Sequence, residues 1–332
     1  MPLLTVVIST LGNHDGLRRV LESYEHQRDV AAAFEVVVVA DAAEPVIEEV
    51  EAAARGRPYG ARIVRGGRAG LSANRNRGLA EARTALVMFT DNDTLAEPDL
   101  VAQHLDWHER YPEPEVAVLG HVRWASEIDV TPFMRWLDRG IQFDYPNIQG
   151  IEAGWGRFYG ANVSLKTEFA RRVGGFDEER LPYGYEDLEY AYRADKMGLR
   201  VLYNRKAVVQ HLRVMTPEFW LKRVRRVAVA ERQFVRMCPE IEPYFLRMFT
   251  AAAAEPPARG RGIKLARWVP ERIPLLGPRV WRSVDMYYRQ LLAPEFLDAW
   301  DKAAADLGGA VQPDLSELEA ESSVSPSSSG PK

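Results

Sequence analysis

The sequence predicts an α/β protein: a mostly parallel sheet flanked by helices, followed by a helical C-terminal extension. Three observations predict it. Short, largely apolar runs rich in β-branched residues recur through the first half, at Thr5–Ser9, Glu35–Ala40, Ala61–Val64 (with Arg62 inside it) and Ala85–Thr90, and each is too short for a helix. Stretches with apolar residues at helical spacing separate them, and strands alternating with helices imply parallel pairing through right-handed crossovers. Several runs end in polar residues, among them Thr10, Asp41, Asp91 and Asp93. Those residues gather at the carboxyl edge of the sheet, where open α/β sheets bind ligands.

In chain order, Thr5–Thr10 reads as a strand, and Leu17, Val20, Leu21 and Tyr24 mark a helix running to His26. Glu35–Ala40 is a second buried strand, followed by a helix from Glu44 to Ala54 and a shorter strand at Ala61–Arg65. The loop Gly66–Gly70 opens a helix from Leu71 to Arg83, and the fourth strand then ends in Asp91 and Asp93. Residues 121–158 are rich in aromatic side chains and loop residues. Phe158–Leu165 reads as a strand, and Lys166–Val173 and Glu186–Met197 as helices. Arg200–Tyr203 and Ala207–His211 read as two short strands. Thr216 and Pro217 open a long basic helix, with a capping residue followed by proline at the first helical position. Further helices extend to about Leu307, and the Ser/Pro-rich tail from Gln312 has the composition of a disordered segment.

Bulk properties remove several classes of function. A net charge of −4 gives no electrostatic basis for nucleic acid as a partner. The single cysteine, Cys238, rules out an internal disulfide or a Cys-rich metal site and fits a reducing, cytoplasmic setting. No apolar stretch approaches the roughly 20 residues of a spanning helix, so membrane contact, if present, is peripheral. The turn Leu11–Gly16 is not G-x-G-x-x-G, and no G-x-x-x-x-G-K-[ST] occurs.

Asp91 and Asp93, at i and i+2, share a face in extended backbone. They suit a divalent cation that also meets phosphate oxygens, or equally the entry of a helix before Glu97-Pro98-Asp99. Arg75, early in a helix after a glycine loop, suits a diphosphate, and Asp41 suits a base N–H or a ribose hydroxyl. Each of these is more often a cap than a ligand when taken singly; their convergence on one edge favours a site. Glu186-Asp187 at a helix start is a candidate general base or an ordinary first-turn acidic pair. His211 is a third candidate metal ligand or a structural histidine. His104 and His108 lack the intervening glutamate of HExxH and read as structural.

In order along the chain stand Val7-Ile-Ser-Thr10, Val-Val-Val-Ala-Asp41, Gly70-Leu-Ser-Ala-Asn-Arg-Asn-Arg-Gly78, Phe89-Thr-Asp-Asn-Asp93, Tyr159-Gly-Ala-Asn-Val-Ser164, Gly174-Gly-Phe-Asp177, Gly184-Tyr-Glu-Asp-Leu188 and a terminal His211. Over roughly residues 3–215 this series resembles the inverting family 2 glycosyltransferases of GT-A fold, a Rossmann-like architecture. The resemblance implies that Thr10, Asp41, Arg75, Asp91 and Asn92 bind a nucleotide-diphosphate sugar. Asp41 would meet the nucleobase, Arg75 the diphosphate, and Asp91 and Asn92 the sugar and ribose. It further implies Mn2+ or Mg2+ on Asp93, with His211 a further ligand, and Asp187 as the base that deprotonates an acceptor hydroxyl. Trp155, Tyr159 and Glu186 fall on the acceptor side. Aromatics in 124–159 would frame that acceptor (carbohydrate, lipid-linked or small molecule) or simply form the core of the second half. The usual Asp-Asp-Gly-Ser after the second strand is here Ala40-Asp41-Ala42-Ala43, which leaves the base preference open. The Gln-x-x-x-x-Gln-Trp of processive synthases is absent.

The expected organisation is a nucleotide-sugar-binding half over 1–120, an acceptor and catalytic half of the same GT-A domain over 121–238, a helical extension over 239–311, and the tail 312–332. Two basic stretches, 216–236 and 259–268, are candidates for an anionic membrane surface or plain solvated faces. The alternatives to a transferase are a non-catalytic nucleotide-sugar-binding module and a nucleotidyltransferase; the latter would want a Gly-rich basic loop after the first strand, which is missing. Oligomeric state is not legible in the sequence.

Overall fold

The computed structural model describes residues 2–28, 30, 33–181, 184–258, 260–269, 273 and 275–305. The expected tail from Gln312 and the end of the expected C-terminal extension lie outside these residues. The described chain forms two compact units, one of residues up to Ile128 together with Ile148–Arg213, the other of Asp129–Asn147 together with the chain from Val214.

The first unit contains strands β1 (Leu4–Thr10), β2 (Phe34–Ala40), β3 (Ala61–Arg65), β4 (Leu86–Asp91), β5 (Thr94–Ala96), β6 (Val116–Trp124), β7 (Asn162–Lys166) and β8 (Arg200–His211). Helices α1 (His14–Glu25), α2 (Ile47–Ala54), α3 (Leu71–Glu81) and α4 (Leu100–Arg110) belong to the same unit. The strands make one sheet in the order β3-β2-β1-β4-β7-β6-β8-β5. Pairing is parallel across β3-β2-β1-β4. Beyond β4 the sheet is mixed, because β7 runs antiparallel to both β4 and β6. Every residue of β1 is buried, as are the first five of β4, which explains their uninterrupted apolar runs. The register Ser9↔Asp91 and Thr10↔Ala40 sets Thr10, Asp41 and Asp91 along one edge. The pairing Thr94↔His211 brings Asp93 beside the end of β8.

Two elements differ from the sequence reading. Val116–Trp124 is an interior strand, so the expected boundary at residue 120 falls within it. Its apolar run is only Val116–Leu119 before Gly120, His121 and Arg123 interrupt it, and such a run is too short to stand out. The two short strands expected over 200–211 are one strand. Its register with β6 shifts from Leu119↔Tyr203 to His121↔Val208, leaving residues 204–207 opposite Gly120. A Cβ at Gly120 would collide with the Asn162 amide and the Ala207 carbonyl.

The second unit holds α5 (Pro132–Leu137). Between α5 and β8 lie α6 (Thr167–Val173) and α7 (Glu186–Asp195), which belong to the first unit. The second unit continues with α8 (Pro217–Met237), α9 (Tyr244–Ala254), α10 (Arg261–Ala266) and α11 (Leu276–Ala305). Thr131 and Thr216 cap α5 and α8 by accepting from Met134 and Phe219 N–H groups, with proline next in each case. Phe133, Trp136, Trp220 and Tyr288 pack as one aromatic cluster, and Phe245, Phe249 and Phe296 as another. Phe133 and Trp136 are therefore core residues of this unit. The basic helix α8 groups here too, not with the half expected over 121–238. Glu231, almost fully buried, accepts from the Phe245 and Leu246 N–H groups at the start of α9, where the helix dipole favours its charge. Among the described residues no helix is long and apolar enough to cross a membrane.

Candidate active site

Every site residue proposed from the sequence lies in the first unit. At the β1–β4 edge, Asn92 Nδ2 donates to Thr10 Oγ1 at 2.9 Å, and Asn13 Nδ2 donates to the Asn92 carbonyl at 3.3 Å. Asp41 behaves differently from a solvent-facing ligand. It is 2% exposed, and its carboxylate accepts from Ala43 N at 2.8 Å, Gly70 N at 2.9 Å and Asn74 Nδ2 at 2.6 Å. Gly70 has φ 121°, a backbone that favours glycine. Asp41 thus ties the loop before α3 to the end of β2 and holds the first turn of that helix in place.

Arg75, the residue after that first turn, is the hub. Its guanidinium is 4% exposed and sits 3.6 Å from Asp91 Oδ1, 2.9 Å from Glu186 Oε1 and 2.5 Å from Asp187 Oδ1. The sequence reading aimed it at a diphosphate; the structure places it among three carboxylates. Asp187 Oδ2 accepts from Gly160 N–H at 2.8 Å, and a Cβ at Gly160 would strike the Arg75 guanidinium and the Asp187 carboxylate. Burial pushes the Asp187 carboxyl up to about 7; Arg75 opposes that rise, Glu186 adds to it, and the Gly160 N–H opposes it. Burial also raises Asp91, against the pull of Arg75. Glu186 Oε2 is buried with no hydrogen-bond partner among the described residues.

Asp93 Oδ2 lies 3.3 Å from Arg213 Nε and 3.9 Å from His211 Nε2. Trp124 meets the His211 ring edge-on at 5.5 Å. His211 Nδ1 accepts the Arg213 N–H at 3.1 Å, so the neutral ring carries its proton on Nε2, facing Asp93. No group of three or more His, Cys, Asp or Glu side chains among the described residues is arranged to hold a metal ion. Asp93 is the carboxylate at this edge that would hold a cation, with its other ligands supplied from outside the protein. His211, in this tautomer, fits as a donor to Asp93; ligation through Nε2 requires that the Arg213 N–H bond be given up.

On the other side, Trp155 packs on Tyr192 at 5.1 Å between ring centres. Tyr159 is half-buried just before Gly160. His104 is buried between Ser164 and Asn162, at 2.7 and 2.9 Å, and burial lowers it to about 4, which bears out its structural reading. Two contributors escaped the sequence reading: Arg213, which stands two residues after His211, and the Gly160 N–H, which no side-chain pattern reports.

Residues 5–156 match the model of "Glycosyl transferase family 2". Over those residues the chain is similar to the family 2 glycosyltransferases. Validoxylamine A glucosyltransferase from Streptomyces hygroscopicus subsp. limoneus is 28% identical over 240 residues, covering 62% of this chain and 51% of that protein. The chain thus spans about half the length of the relatives it matches. Its fold is GT-A. A Pyrobaculum calidifontis mannosyltransferase, solved with GDP-Man and Mn2+, superposes with TM-score 0.55 at 20% identity, covering 96% of this chain and 79% of that one. TarS from S. aureus superposes with TM-score 0.52 at 13% identity, covering 91% of each chain. The carboxyl edge of the sheet presents Thr10, Asn92, Asp91 and Asp93, and Asp187, in the first turn of α7, reaches Asp91 through the shared Arg75 guanidinium.

Proposed function

We propose that the protein moves a sugar from a nucleotide-diphosphate donor to an acceptor hydroxyl with inversion at the anomeric carbon, Asp187 acting as general base. The observation that supports this best is the shared guanidinium. Arg75 bridges Asp91, on the donor edge, and Asp187, at the start of α7. A donor seated along Thr10, Asn92 and Asp91 would then present its anomeric carbon toward Asp187.

Asp187 takes the acceptor's proton as the hydroxyl oxygen forms its bond to that carbon, and the bond to the diphosphate breaks on the opposite side. A carboxyl raised to about 7 is matched to that task near neutral pH. Arg75 and the Gly160 N–H fix the carboxylate's orientation, and Glu186 shares the guanidinium. Asp93, with His211 beside it, would hold Mn2+ or Mg2+, which when bound supplies positive charge for the departing diphosphate. Trp155, on Tyr192, and Tyr159 offer flat faces to a sugar or other ring. The similarity to a validoxylamine A glucosyltransferase supports a hydroxylated small molecule as one acceptor class to test.

The test is a panel of UDP-, GDP- and TDP-sugars with and without Mn2+. One nucleotide should bind, and its sugar should be released or transferred with inversion, read by NMR. Asp187→Asn should lower kcat by about 10²–10⁴-fold while the donor Kd stays put. Equal turnover by the wild type and Asp187→Asn, or pyrophosphate release from a nucleoside triphosphate, would overturn the proposal.

A further inference from the structure

In the second unit, α10 and the start of α11 close a hairpin. Gly262 has no room for a Cβ against Ser283 and the Val280 carbonyl, and Trp281 Nε1 donates to the Val269 carbonyl at 2.9 Å. Gly262, Ala266 and Val269, at helical spacing, face inward and are buried. The other faces of the hairpin carry large apolar side chains in the open: Leu265, Trp268 (78% exposed), Ile273, Leu275 (79% exposed) and Leu276. Leu275 also has φ 62°, a left-handed conformation uncommon for any residue but glycine and asparagine.

Cations are interleaved with these groups. Lys264, Arg267, Arg279 and Arg282 are all exposed. On α11, Leu276, Arg279 and Arg282 share one stripe by their spacing. Over residues 261–282 the sequence has six basic residues and one acidic residue, Glu271, within a chain whose net charge is −4. Asp129 also lies near, 3.5 Å from Arg267, with both side chains exposed.

We infer that this hairpin is a docking surface for an anionic lipid bilayer. The core of a protein interface is depleted of charge, whereas here Lys264 and Arg267 adjoin Leu265 and Trp268, and Arg279 and Arg282 share the stripe of Leu276. A bilayer surface accepts that mixture: aliphatic chains and an indole enter the headgroup boundary while guanidinium and ammonium groups meet lipid phosphates. The inference does not depend on the transfer chemistry, because lipid binding is read without donor or acceptor.

The full chain is sedimented with phosphatidylcholine vesicles that contain roughly one third phosphatidylglycerol, and with pure phosphatidylcholine. Partition onto the anionic vesicles should be at least about tenfold stronger and should fall with salt. The double variant Trp268→Ser/Leu275→Ser should lose about tenfold or more on anionic vesicles. Arg279→Glu/Arg282→Glu should abolish the preference for them. Unchanged far-UV circular dichroism and thermal midpoint in either variant keep the reading clear of misfolding. The inference is overturned by an absence of vesicle binding, by equal binding to both vesicle types, or by both variants binding as wild type. It is also overturned if light scattering without lipid shows a dimer that Trp268→Ser/Leu275→Ser dissolves, since a second copy then covers the patch.

Discussion

Arg75 is one positive charge shared by three carboxylates, and that imbalance shapes the chemistry of Asp187. Burial lifts Asp187 to about 7, and Arg75, more than the Gly160 N–H, holds it from rising further. Turnover should therefore climb with pH through an apparent pKa near 7. Arg75→Met should move that limb to higher pH and lower kcat at neutrality, which a kcat–pH profile of the two proteins measures. A limb that stays near 7 in the variant would show that Arg75 does not govern the base. The same shift has a stability consequence. Because the folded carboxyl binds its proton more tightly than the unfolded one, at 3.8, folding takes up a proton and the folded state loses stability as pH rises from about 4 through 7. The slope for one proton is at most about 1.4 kcal/mol per pH unit, and Asp187→Asn should flatten it in urea titrations. Arg75 and Asp187 were each legible as candidates from motif order, but their pairing was not. They stand 112 residues apart, and no local pattern says which of several strand-end charges will meet.

At the scale of elements, α3 carries Arg75, and its position depends on two glycines. Gly70 supplies the left-handed turn that lets its N–H reach Asp41. Gly78 faces β1, where a Cβ would collide with the side chain of buried Val7. Val7 is β-branched, stiff at χ1 and inside a strand paired on both sides, so it cannot swing away. Gly78→Ala should cost about 1–3 kcal/mol by overpacking, despite the better helix propensity of alanine, and should weaken donor binding by displacing the first turn of α3. Adding Val7→Ala should recover part of the stability, a coupling that a double-mutant cycle in urea isolates. Strands β1, β2 and β4 were legible because burial on both sides demands long β-branched runs. Strand β6 was not, since Gly120 and His121 interrupt its run. The joining of 200–211 into one strand was hidden by the bulge at 204–207, whose polar residues look like a loop; Asn204, for instance, accepts from Lys206 N–H and donates to Gln103.

For the whole molecule, the two-unit division was the part least visible in sequence, because Asp129–Asn147 leaves the first unit and returns to it at Ile148. A linear reading assigns such an excursion to its sequence neighbours, and so the aromatics of 124–159 read as one group, either an acceptor frame or the core of the second half. Phe133 and Trp136 instead pack with Trp220 and Tyr288, far along the chain. Every candidate donor and catalytic residue belongs to the first unit, which makes the response to ligand a test of the division itself. Binding that favours the folded state stabilises by RT ln(1 + [L]/Kd), so nucleotide-sugar and Mn2+ at about 100 times Kd should slow exchange by about 100-fold at amides that open only when the first unit unfolds. Hydrogen exchange read by mass spectrometry should show that slowing in β1, β4 and β7, together with local protection around 70–75, 91–93, 186–187 and 211–213. Peptides from α9 and α11 should exchange at their ligand-free rate. Equal protection of α9 and α11 would overturn the confinement of the site to the first unit. No protection around 91–93 and 211–213 would remove Asp93 and His211 from the donor site.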